Sequence, residues 1–479
     1  MRTILLAVVL GVAPLLAIAA EPTPPAIFQA GAATSNITPE LGGEIIGGFT
    51  PIPSKHIHDE LHARCLVLDD GRGRIALVVC DLLGIHRSVS DEARKRIKES
   101  TGIPLERVLI CGTHTHSATS ALRERYKENQ ELDDYQEFVA RRIADGVRRA
   151  VNTLRPAEIA FGKANAPEHV FNRRWYMKPG TVPLNPFDQV DQVKMNPPAG
   201  SPNLVEPAGP TDPTISFLAV REPSGKPIGL FASYSLHYVG GVPGPDISAD
   251  YYGMFSRRME ALLGEGEQDP LFVAMMANGT SGDVNNINFL QPRGKQAPYE
   301  QMRFVADDVA SKVHLAWKEL KYQPHVSLET RYRELDVGSR RPTSEQVAWA
   351  KETVKQEIPK TGKSLSRIYA ERTLSLMEQP ETMKVPLQVL RIGEIGIATM
   401  PCEVFCETGL EWKQRSPLQP SFLVSLTHGY YGYLPTPRQH RLGGYETWLG
   451  TNRLEVTASD KMLAALLEMA AELKPAAGP

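Results

Sequence analysis

The sequence VLICGTHTHS, residues 108–117, joins a short apolar run to two histidines that stand two positions apart. The apolar residues 108–111 predict a buried β-strand. In an extended backbone the side chains of residues i and i+2 point to the same face, so we expect His114 and His116 to lie side by side. Two imidazoles at the end of a buried strand are a natural beginning for a metal site, whereas two histidines bonded within a loop are the alternative interpretation.

The surrounding sequence predicts that this strand belongs to a β-α-β unit. The apolar run 74–79 predicts an earlier strand, the amphipathic segment 88–99 predicts a helix, and the strand 108–111 completes the unit. Ligand and metal sites of α/β sheets tend to lie beyond the carboxyl ends of strands, which is where His114 and His116 stand. This placement favours the metal site over two loop histidines.

The rest of the chain continues this alternation of strand and helix patterns. We predict an α/β fold class, with mixed β-sheets flanked by helices in a single large catalytic domain. The Pro- and Asn-rich segment 179–213 is expected to form a long loop. The further predicted strands are 157–163, 215–221, 228–235, 271–276, 385–392, 395–400 and 422–426, and the further predicted helices are 133–154, 249–263, 299–320, 344–355, 365–378 and 454–473.

Composition narrows the class of protein. A chain of 479 residues with 42% hydrophobic and 23% charged residues is typical of a soluble globular protein with a sizeable core. The formal net charge of −2 argues against nucleic acid or an anionic membrane as an obligatory partner. Five sparse cysteines do not form a disulfide framework. Cys80 and Cys111 are predicted to be small core residues, while Cys402 and Cys406 either pair or are both free.

The N-terminus predicts export. Arg2, the apolar run 4–18 and the small-residue pattern at 17–19 are typical of a signal peptide over residues 1–19. A membrane anchor is the alternative, but the run is short and a Pro-rich stretch follows it. We therefore expect a periplasmic or secreted protein whose mature domain, residues 20–479, has no integral membrane segment.

Polar side chains follow the predicted strands at several points. Six strand ends that carry His, Asp, Glu or Tyr are what a composite site on one sheet edge requires. Asp81 either orients a metal-bound imidazole without itself binding the metal, or it caps a turn. His56, His58 and His62 are expected to be solvated loop residues. The strand-end residues are Asp81, His114 with His116, His237, Asp283, Glu403, and Tyr430 with Tyr431 and Tyr433.

These blocks resemble the N-terminal catalytic domain of the neutral, non-lysosomal ceramidase family, over about residues 28–449. The resemblance implies a zinc ion held by His114, His237, Glu403 and Tyr433, with His116, Arg173 and Tyr445 in contact with the substrate. The matching blocks, in order, are GTHTHS at 112–117, Asn172-Arg173, His237 followed by Asp250 and Gly253, Gly282-Asp283-Val284, Pro401-Cys402-Glu403, and Gly432-Tyr433 with Tyr445-Glu446.

The chain departs from the family pattern at one position that matters for mechanism. The family has a serine directly after its Gly-Asp-Val element that is treated as catalytic, and here that position is Asn285. Asparagine donates and accepts hydrogen bonds but cannot be an acylated nucleophile. The rim sequence 118–121 is also changed, so the resemblance does not define the shape of the substrate. A C-terminal immunoglobulin-like domain, which many members carry, is not expected.

The sequence therefore predicts an exported zinc-dependent hydrolase in which zinc-bound water attacks an amide (N-acyl) bond of a lipid or small-molecule substrate. Asn285 is expected to contribute to the catalytic site through hydrogen bonds only. One alternative is a zinc hydrolase of the same fold that acts on an ester or glycosidic bond in a polar substrate. Another is a catalytically silent metal-binding protein.

Overall fold

Three large β-sheets meet at a shared apolar core in the computed structural model, which describes residues 27–122, 131–264, 272–358 and 362–474. Helices cover the outer face of each sheet. The architecture is the predicted α/β arrangement of mixed sheets and helices. Residues 1–19, the predicted signal peptide, lie outside the described residues.

The first sheet contains the β-α-β unit that the sequence predicts. The strands Arg74–Cys80 and Val108–Gly112 are parallel, and the helix Arg87–Thr101 connects them. Side chains alternate between the two faces of the sheet, with Cys65 toward the helices and Leu66 toward the shared core. Across the sheet the strands run in the order Val108–Gly112, Arg74–Cys80, His62–Asp69, Gln29–Asn36 and Arg155–Pro156, covered by the helices Arg87–Thr101 and Asp134–Asn152.

The second and third sheets repeat one feature of the first, a parallel pair of strands at the edge of the sheet. In the second sheet Pro227–Tyr234 is parallel to Val273–Asn278, and in the third Ile395–Thr399 is parallel to Ser421–Val424. The carboxyl ends of these pairs carry the residues of the candidate site. The second sheet adds the strands Glu158–Asn165 and Thr214–Arg221 and the helices Asp250–Leu263 and Glu300–Trp317; the third adds the strands Leu328–Gly338 and Thr382–Ile392 and the helices Cys406–Arg415 and Ala458–Leu473.

Shorter elements connect the sheets and shape the site. The segment 179–213 was expected to be a loop, but Val193–Met195 and Leu204–Pro207 within it both pair with Arg174–Met177. The remaining helices are Ser344–Thr353, Leu365–Ser375 and Pro437–Leu442, and the remaining short strands are Glu44–Ile46, Ile52–Pro53, His56–Ile57, Ala118–Thr119, Phe171–Asn172, Asp246–Ile247, Val284–Asn285, Glu403–Val404 and Tyr433–Leu434.

One difference from the sequence predictions has a clear physical cause. The last helix begins at Ala458 rather than at residue 454, because Leu454 forms a β-bridge with Ser339. The strand predicted over 271–276 is Val273–Asn278, and residue 271 lies outside the described residues.

All five cysteines are buried and free, including Cys402 and Cys406. Within the described ranges, no helix is both long and apolar enough to span a membrane.

Candidate metal centre

Three ionisable side chains from the three sheets converge on one buried point. His114 follows the edge strand Val108–Gly112, whereas His237 and Glu403 follow strands that lie next to an edge strand. The exposed fractions of the three residues are 1%, 1% and 3%. The Nε2 atom of His114 lies 3.2 Å from Oε2 of Glu403, and the Nε2 atom of His237 lies 3.8 Å from the same oxygen. Ligand atoms of a tetrahedral zinc ion lie roughly 3.3 Å apart, so this spacing fits one metal ion.

Backbone carbonyls set the orientation of both imidazoles. Nδ1 of His114 donates to the carbonyl of Leu83 at 2.7 Å, and Nδ1 of His237 donates to the carbonyl of Ser281 at 3.0 Å. A carbonyl only accepts, so Nδ1 carries a proton in each ring and Nε2 faces Glu403.

Asp81, one candidate for this orienting role, is instead occupied by another partner. Its Oδ2 accepts from Nη1 of Arg64 at 2.6 Å and from the backbone N–H of His62 at 2.9 Å. Asp81 thus fills neither of the two expected roles: it pairs with Arg64 of the neighbouring strand, and the Leu83 carbonyl occupies the position behind His114. Of the three histidines expected to be solvated loop residues, His56 and His62 instead lie in the strands His56–Ile57 and His62–Asp69, and His58 pairs with Asp59.

The backbone at His114 differs from the extended conformation expected from the sequence. His114 has a φ of +80°, a left-handed conformation that a non-glycine residue adopts at a cost of roughly 1–2 kcal/mol. Its N–H donates to the carbonyl of Leu82, which holds this turn. The expectation of an extended His-x-His was therefore wrong, although the two rings still meet, with their Nε2 atoms 3.1 Å apart.

The charge state of the centre suits a cation. Burial lowers the pKa of His237 well below its usual value, and His114 and Arg173 lower it further, so the imidazole is neutral. Burial opposes ionisation of Glu403, but His114 outweighs it and holds the pKa of that carboxyl below its usual range. A neutral imidazole and a carboxylate are the forms that bind metal.

Two buried atoms at this centre have no hydrogen-bond partner among the described residues. They are Nε2 of His237 and Oε2 of Glu403. An unsatisfied buried polar atom costs about 1–3 kcal/mol, and a charged one costs more. The other carboxylate oxygen, Oε1, accepts from the hydroxyl of Tyr430 at 2.6 Å. A metal ion would satisfy both unpartnered atoms at once.

Tyr433 lies directly beside this pair. It is the register partner of Glu403 in two short parallel strands, and it is 7% exposed. Burial raises the pKa of its phenol well above the usual value, Glu403 raises it further, and Arg173 opposes the rise. The phenol thus keeps its proton despite the nearby guanidinium of Arg173, and a bound metal ion would favour the loss of that proton.

The residues expected to contact substrate surround the centre. The ring of His116 stacks on Tyr238 with centroids 3.7 Å apart, and the ring of Tyr445 meets Tyr433 edge-on at 5.7 Å. The Arg173 guanidinium lies over the ring of Tyr433, 5.3 Å from its centroid. The imidazoles of His116, His114 and His237 also form a possible three-histidine metal group, so the distances alone allow His116 either role.

Glu446 is an additional residue whose role the sequence did not reveal. Its Oε1 accepts from Nε of Arg173 at 2.8 Å, and its Oε2 accepts from Nη1 of Arg174 at 2.6 Å. All three side chains are buried. Burial lowers the pKa of Arg173, but Tyr433 and Glu446 outweigh that effect and raise it. Glu446 therefore positions Arg173. In the sequence, the only sign of this role is its place next to Tyr445.

Asn285 does not contact the imidazoles or Glu403. Its Nδ2 donates to Oδ1 of Asn196 at 2.7 Å, and its Oδ1 accepts from the N–H of Ile287 at 2.7 Å. The structure therefore brings together every predicted site residue except Asn285, whose side chain is hydrogen-bonded to Asn196 instead.

Two cavities meet at the centre. A cavity of about 980 Å³, called the main cavity, is bordered by His114 and Glu403, and one of about 300 Å³, called the side cavity, is bordered by His237 and Arg173. The wall shared by both consists of Gly47, Phe49, His116, Tyr433 and Tyr445. The main cavity is further lined by the charged residues Lys363, Glu371, Arg372, Glu378 and Arg453 and by the apolar residues Ile46, Pro51, Leu83, Ile358 and Ile368. The side cavity is further lined by the apolar residues Val193, Met195, Leu365 and Trp448 and by the polar residues Asp191, Lys194 and Asn196.

A second group of possible ligands, Glu168, His169 and Asp308, has a different explanation. Nζ of Lys312 pairs with Glu168 and lies 2.8 Å from Oδ2 of Asp308, and the same oxygen lies 2.8 Å from Nε2 of His169. The lysine neutralises this partly exposed cluster, which forms a surface ion pair.

A mixed α/β fold that gathers two imidazoles, a carboxylate and a phenol where cavities meet at the strand ends is that of a hydrolase. The chain belongs to the neutral/alkaline non-lysosomal ceramidase family, whose N-terminal model matches residues 28–302. The neutral ceramidase from Pseudomonas aeruginosa superposes with a TM-score of 0.69 at 16% identity, over 93% of this chain and 74% of that one. A ceramidase complexed with C2 superposes with a TM-score of 0.69 at 15% identity, over 95% and 77%. At these identities the superpositions show a shared fold.

Proposed function

We propose that this protein is an exported zinc-dependent hydrolase that cleaves an amide (N-acyl) bond, with zinc held by His114, His237, Glu403 and Tyr433. The observation that carries the proposal is the pair of buried, unpartnered ligand atoms, Nε2 of His237 and Oε2 of Glu403. The neutral state of His237 supports the same ligand set, because a protonated imidazole does not bind a metal ion.

Zinc, when bound, polarises a carbonyl and lowers the pKa of a water molecule toward neutrality. His116 borders both cavities and is suited to move a proton between the attacking water and the leaving group. Tyr445, which also borders both, is suited to donate a hydrogen bond to the developing oxyanion. Burial raises the pKa of Tyr445, so its hydroxyl keeps the proton that this role requires.

The linings of the cavities support an acyl substrate that carries a polar remainder. Both cavities combine apolar and charged side chains, so they suit a substrate that has an apolar acyl group and a polar part on either side of the scissile bond. The charged lining also favours a second candidate function, the hydrolysis of an ester or glycosidic bond in a polar substrate. Asn285 cannot form an acyl intermediate, which favours water as the nucleophile for an amide or an ester.

Export is the remaining part of the proposal. Its support is the charged, apolar and small-residue pattern of residues 1–19. N-terminal sequencing of the protein from its native cells would test it. We expect the mature chain to begin close after Ala19, and a mature chain that retains residues 1–19 would contradict export with cleavage.

Metal analysis with a hydrolysis screen tests the zinc assignment. We expect His114→Ala and Glu403→Ala to lose zinc and activity together, while His116→Ala keeps zinc and loses activity. His169→Ala is the matched control, because this histidine belongs to the ion-paired cluster and should keep both. Full zinc occupancy in His114→Ala or Glu403→Ala would overturn the ligand assignment. The screen compares N-acyl lipids with soluble amides, esters and glycosides, before and after chelation and zinc return.

A further inference from the structure

We infer that Asn278 is a positioning residue that holds the three ligand-bearing segments of the metal centre in place relative to one another. This inference deepens the proposed function and rests on it for the metal ion. Asn278 ends the strand Val273–Asn278 of the second sheet and is 1% exposed. It borders neither the main cavity nor the side cavity, so it acts on the centre through other residues.

Every hydrogen-bonding group of the Asn278 amide is engaged. Nδ2 donates to the carbonyl of Thr113 at 3.0 Å and to the hydroxyl of Tyr252 at 2.9 Å. Oδ1 accepts from the hydroxyl of Ser281 at 2.8 Å. The carbonyl of Thr113 can only accept, so the amide atom that faces it must be the nitrogen, and a flipped amide would place two oxygens against each other.

The two donor bonds of this amide lead to the residues that directly precede the histidine ligands. Thr113 precedes His114. Tyr252 donates its own hydroxyl proton to the carbonyl of Leu236 at 3.1 Å, and Leu236 precedes His237. Because both bonds begin at one nitrogen, a shift of one histidine segment relative to the other would break at least one of them.

The acceptor bond leads to the group that orients the ring of His237. The carbonyl of Ser281 accepts from Nδ1 of His237 at 3.0 Å, and the hydroxyl oxygen of Ser281 lies 3.3 Å from the same nitrogen. That hydroxyl gives its proton to Oδ1 of Asn278, which leaves its oxygen as an acceptor for the imidazole. Asn278 thus fixes the side chain of Ser281 in the orientation that suits a proton on Nδ1.

The backbone of Asn278 extends the same connection to the third sheet. Its carbonyl accepts from the N–H of Ser425 at 2.9 Å. The next N–H, that of Leu426, donates to the carbonyl of Cys402 at 3.2 Å, and Cys402 precedes Glu403. Each of the three sheets supplies one of these ligands, so a single buried residue connects the segments from all three.

Such a connection matters because the ligand atoms do not hold one another. Nε2 of His237 and Oε2 of Glu403 have no hydrogen-bond partner among the described residues, yet they lie 3.8 Å apart. Their separation is therefore set by contacts elsewhere in each segment, and the bonds of Asn278 are of this kind. Ligands that are already in place spare the metal ion the cost of ordering them, which raises its affinity.

Replacement of the two donors tests the inference without requiring turnover. Asn278→Asp keeps the size of the side chain and its acceptor oxygen but removes both donors of the amide group. We expect zinc affinity, measured by competition with a chromogenic chelator, to fall about 10–100-fold, the range for a lost outer hydrogen bond of a ligand. The visible bands of the cobalt-substituted protein depend on the arrangement of the ligands and should shift in the same variant.

A milder variant removes one link and has a matched control. Tyr252→Phe loses the hydroxyl between the amide and Leu236, whose carbonyl keeps a second donor in Tyr251, so we expect about tenfold weaker zinc binding. Tyr234→Phe is the control. Its hydroxyl is equally buried but donates to the carbonyl of Ala166, which is not connected to any ligand, so this variant should keep wild-type zinc affinity and cobalt bands.

The outcomes separate this inference from the proposed function. Weaker zinc binding with shifted cobalt bands in Asn278→Asp and Tyr252→Phe, but not in Tyr234→Phe, would support it. Wild-type affinity in either of the first two variants, or an equal loss in Tyr234→Phe, would overturn it and leave the zinc site standing. If Asn278→Asp does not fold, Tyr252→Phe against its control decides. A wild-type protein that does not bind zinc would overturn the proposed function and this inference with it.

Discussion

Glu403 and Tyr433 are register partners in a pair of two-residue parallel strands, Glu403–Val404 and Tyr433–Leu434. Neighbouring strands lie about 4.8 Å apart, so paired residues project side chains on the same face of a sheet. The carboxylate and the phenol are thus held beside one another by backbone hydrogen bonds rather than by flexible loops. This pairing carries the assignment of a tyrosine to the metal centre.

Removal of the Tyr433 hydroxyl tests that assignment. We expect Tyr433→Phe to lower zinc affinity by at least about tenfold, because one ligand is lost from the centre. Competition with a chromogenic chelator measures the affinity. Tyr445→Phe is the control, since that ring touches Tyr433 edge-on; it should keep zinc and lower kcat. Equal zinc affinity of Tyr433→Phe and the wild-type protein would remove Tyr433 from the ligand set.

Tyr430 is predicted to orient the carboxylate of Glu403. Its hydroxyl donates to Oε1 at 2.6 Å, which leaves Oε2 directed at the imidazoles. Loss of such an outer hydrogen bond typically lowers metal affinity or activity about 10–100-fold, so we expect this range for Tyr430→Phe. The adjacent Tyr431 donates to the carbonyl of Lys384 instead, and Tyr431→Phe should leave zinc affinity unchanged. Similar affinities in the two variants would argue against the orienting role.

Local sequence patterns predicted the elements that carry the site. The apolar runs 74–79 and 108–111 and the amphipathic segment between them are enough to define a β-α-β unit, because strand and helix periodicities are local properties. Polar residues directly after apolar runs could then be placed at strand ends. The long strand Leu328–Gly338 was missed because many of its residues are only partly buried, so apolar residues do not form a continuous run.

The contacts that orient the site could not be read from residue types. The group behind His114 is the Leu83 carbonyl, and every residue has a carbonyl, so the sequence carries no sign of it. The left-handed backbone at His114 likewise depends on a hydrogen bond to Leu82. The ion pairs of Glu446 join distant parts of the chain, and only tertiary packing creates them.

The Glu446 network is predicted to be a large contributor to stability. Glu446→Ala would leave the guanidinium groups of Arg173 and Arg174 buried without their carboxylate. Breaking a buried ion pair in this way costs about 3–5 kcal/mol, measured as the free energy of unfolding in urea. Glu472, which pairs with Arg331 and Arg333 at the surface, is the control. Glu472→Ala should cost at most about 1 kcal/mol, and equal losses in the two variants would contradict the prediction.

Asp250 is predicted to make stability depend on pH. Burial raises its pKa from 3.8 to about 6, although the N–H groups of Tyr251, Val239 and Gly240 oppose the rise. A carboxyl whose pKa is raised on folding stabilises the protein below its unfolded pKa, and that contribution is lost as pH rises through 6. The difference is about 3 kcal/mol.

Asp250→Asn removes this titration and preserves the left-handed backbone, which asparagine tolerates. The free energy of unfolding of the wild-type protein, relative to Asp250→Asn, should therefore fall as pH rises from 4 to 7. Denaturant titrations of both proteins at several pH values measure the difference. A difference that stays constant over this range would contradict the prediction.

Gly47 gives a way to displace His116 without changing it. The glycine has a φ of +131°, and a Cβ atom there would lie 2.7 Å from Cβ, Cγ and Nδ1 of His116. Gly47→Ala should therefore shift the imidazole and lower kcat/KM at least about tenfold, since reacting groups must be held close to their productive geometry. If His116 contacts substrate, zinc content stays unchanged; if it is a metal ligand, zinc is lost together with activity.

The matched control is Gly48→Ala, whose Cβ would meet only backbone atoms of Thr50, the nearest at 3.8 Å, and full activity is expected there. Wild-type kcat/KM in Gly47→Ala would show that the position of His116 does not limit the reaction.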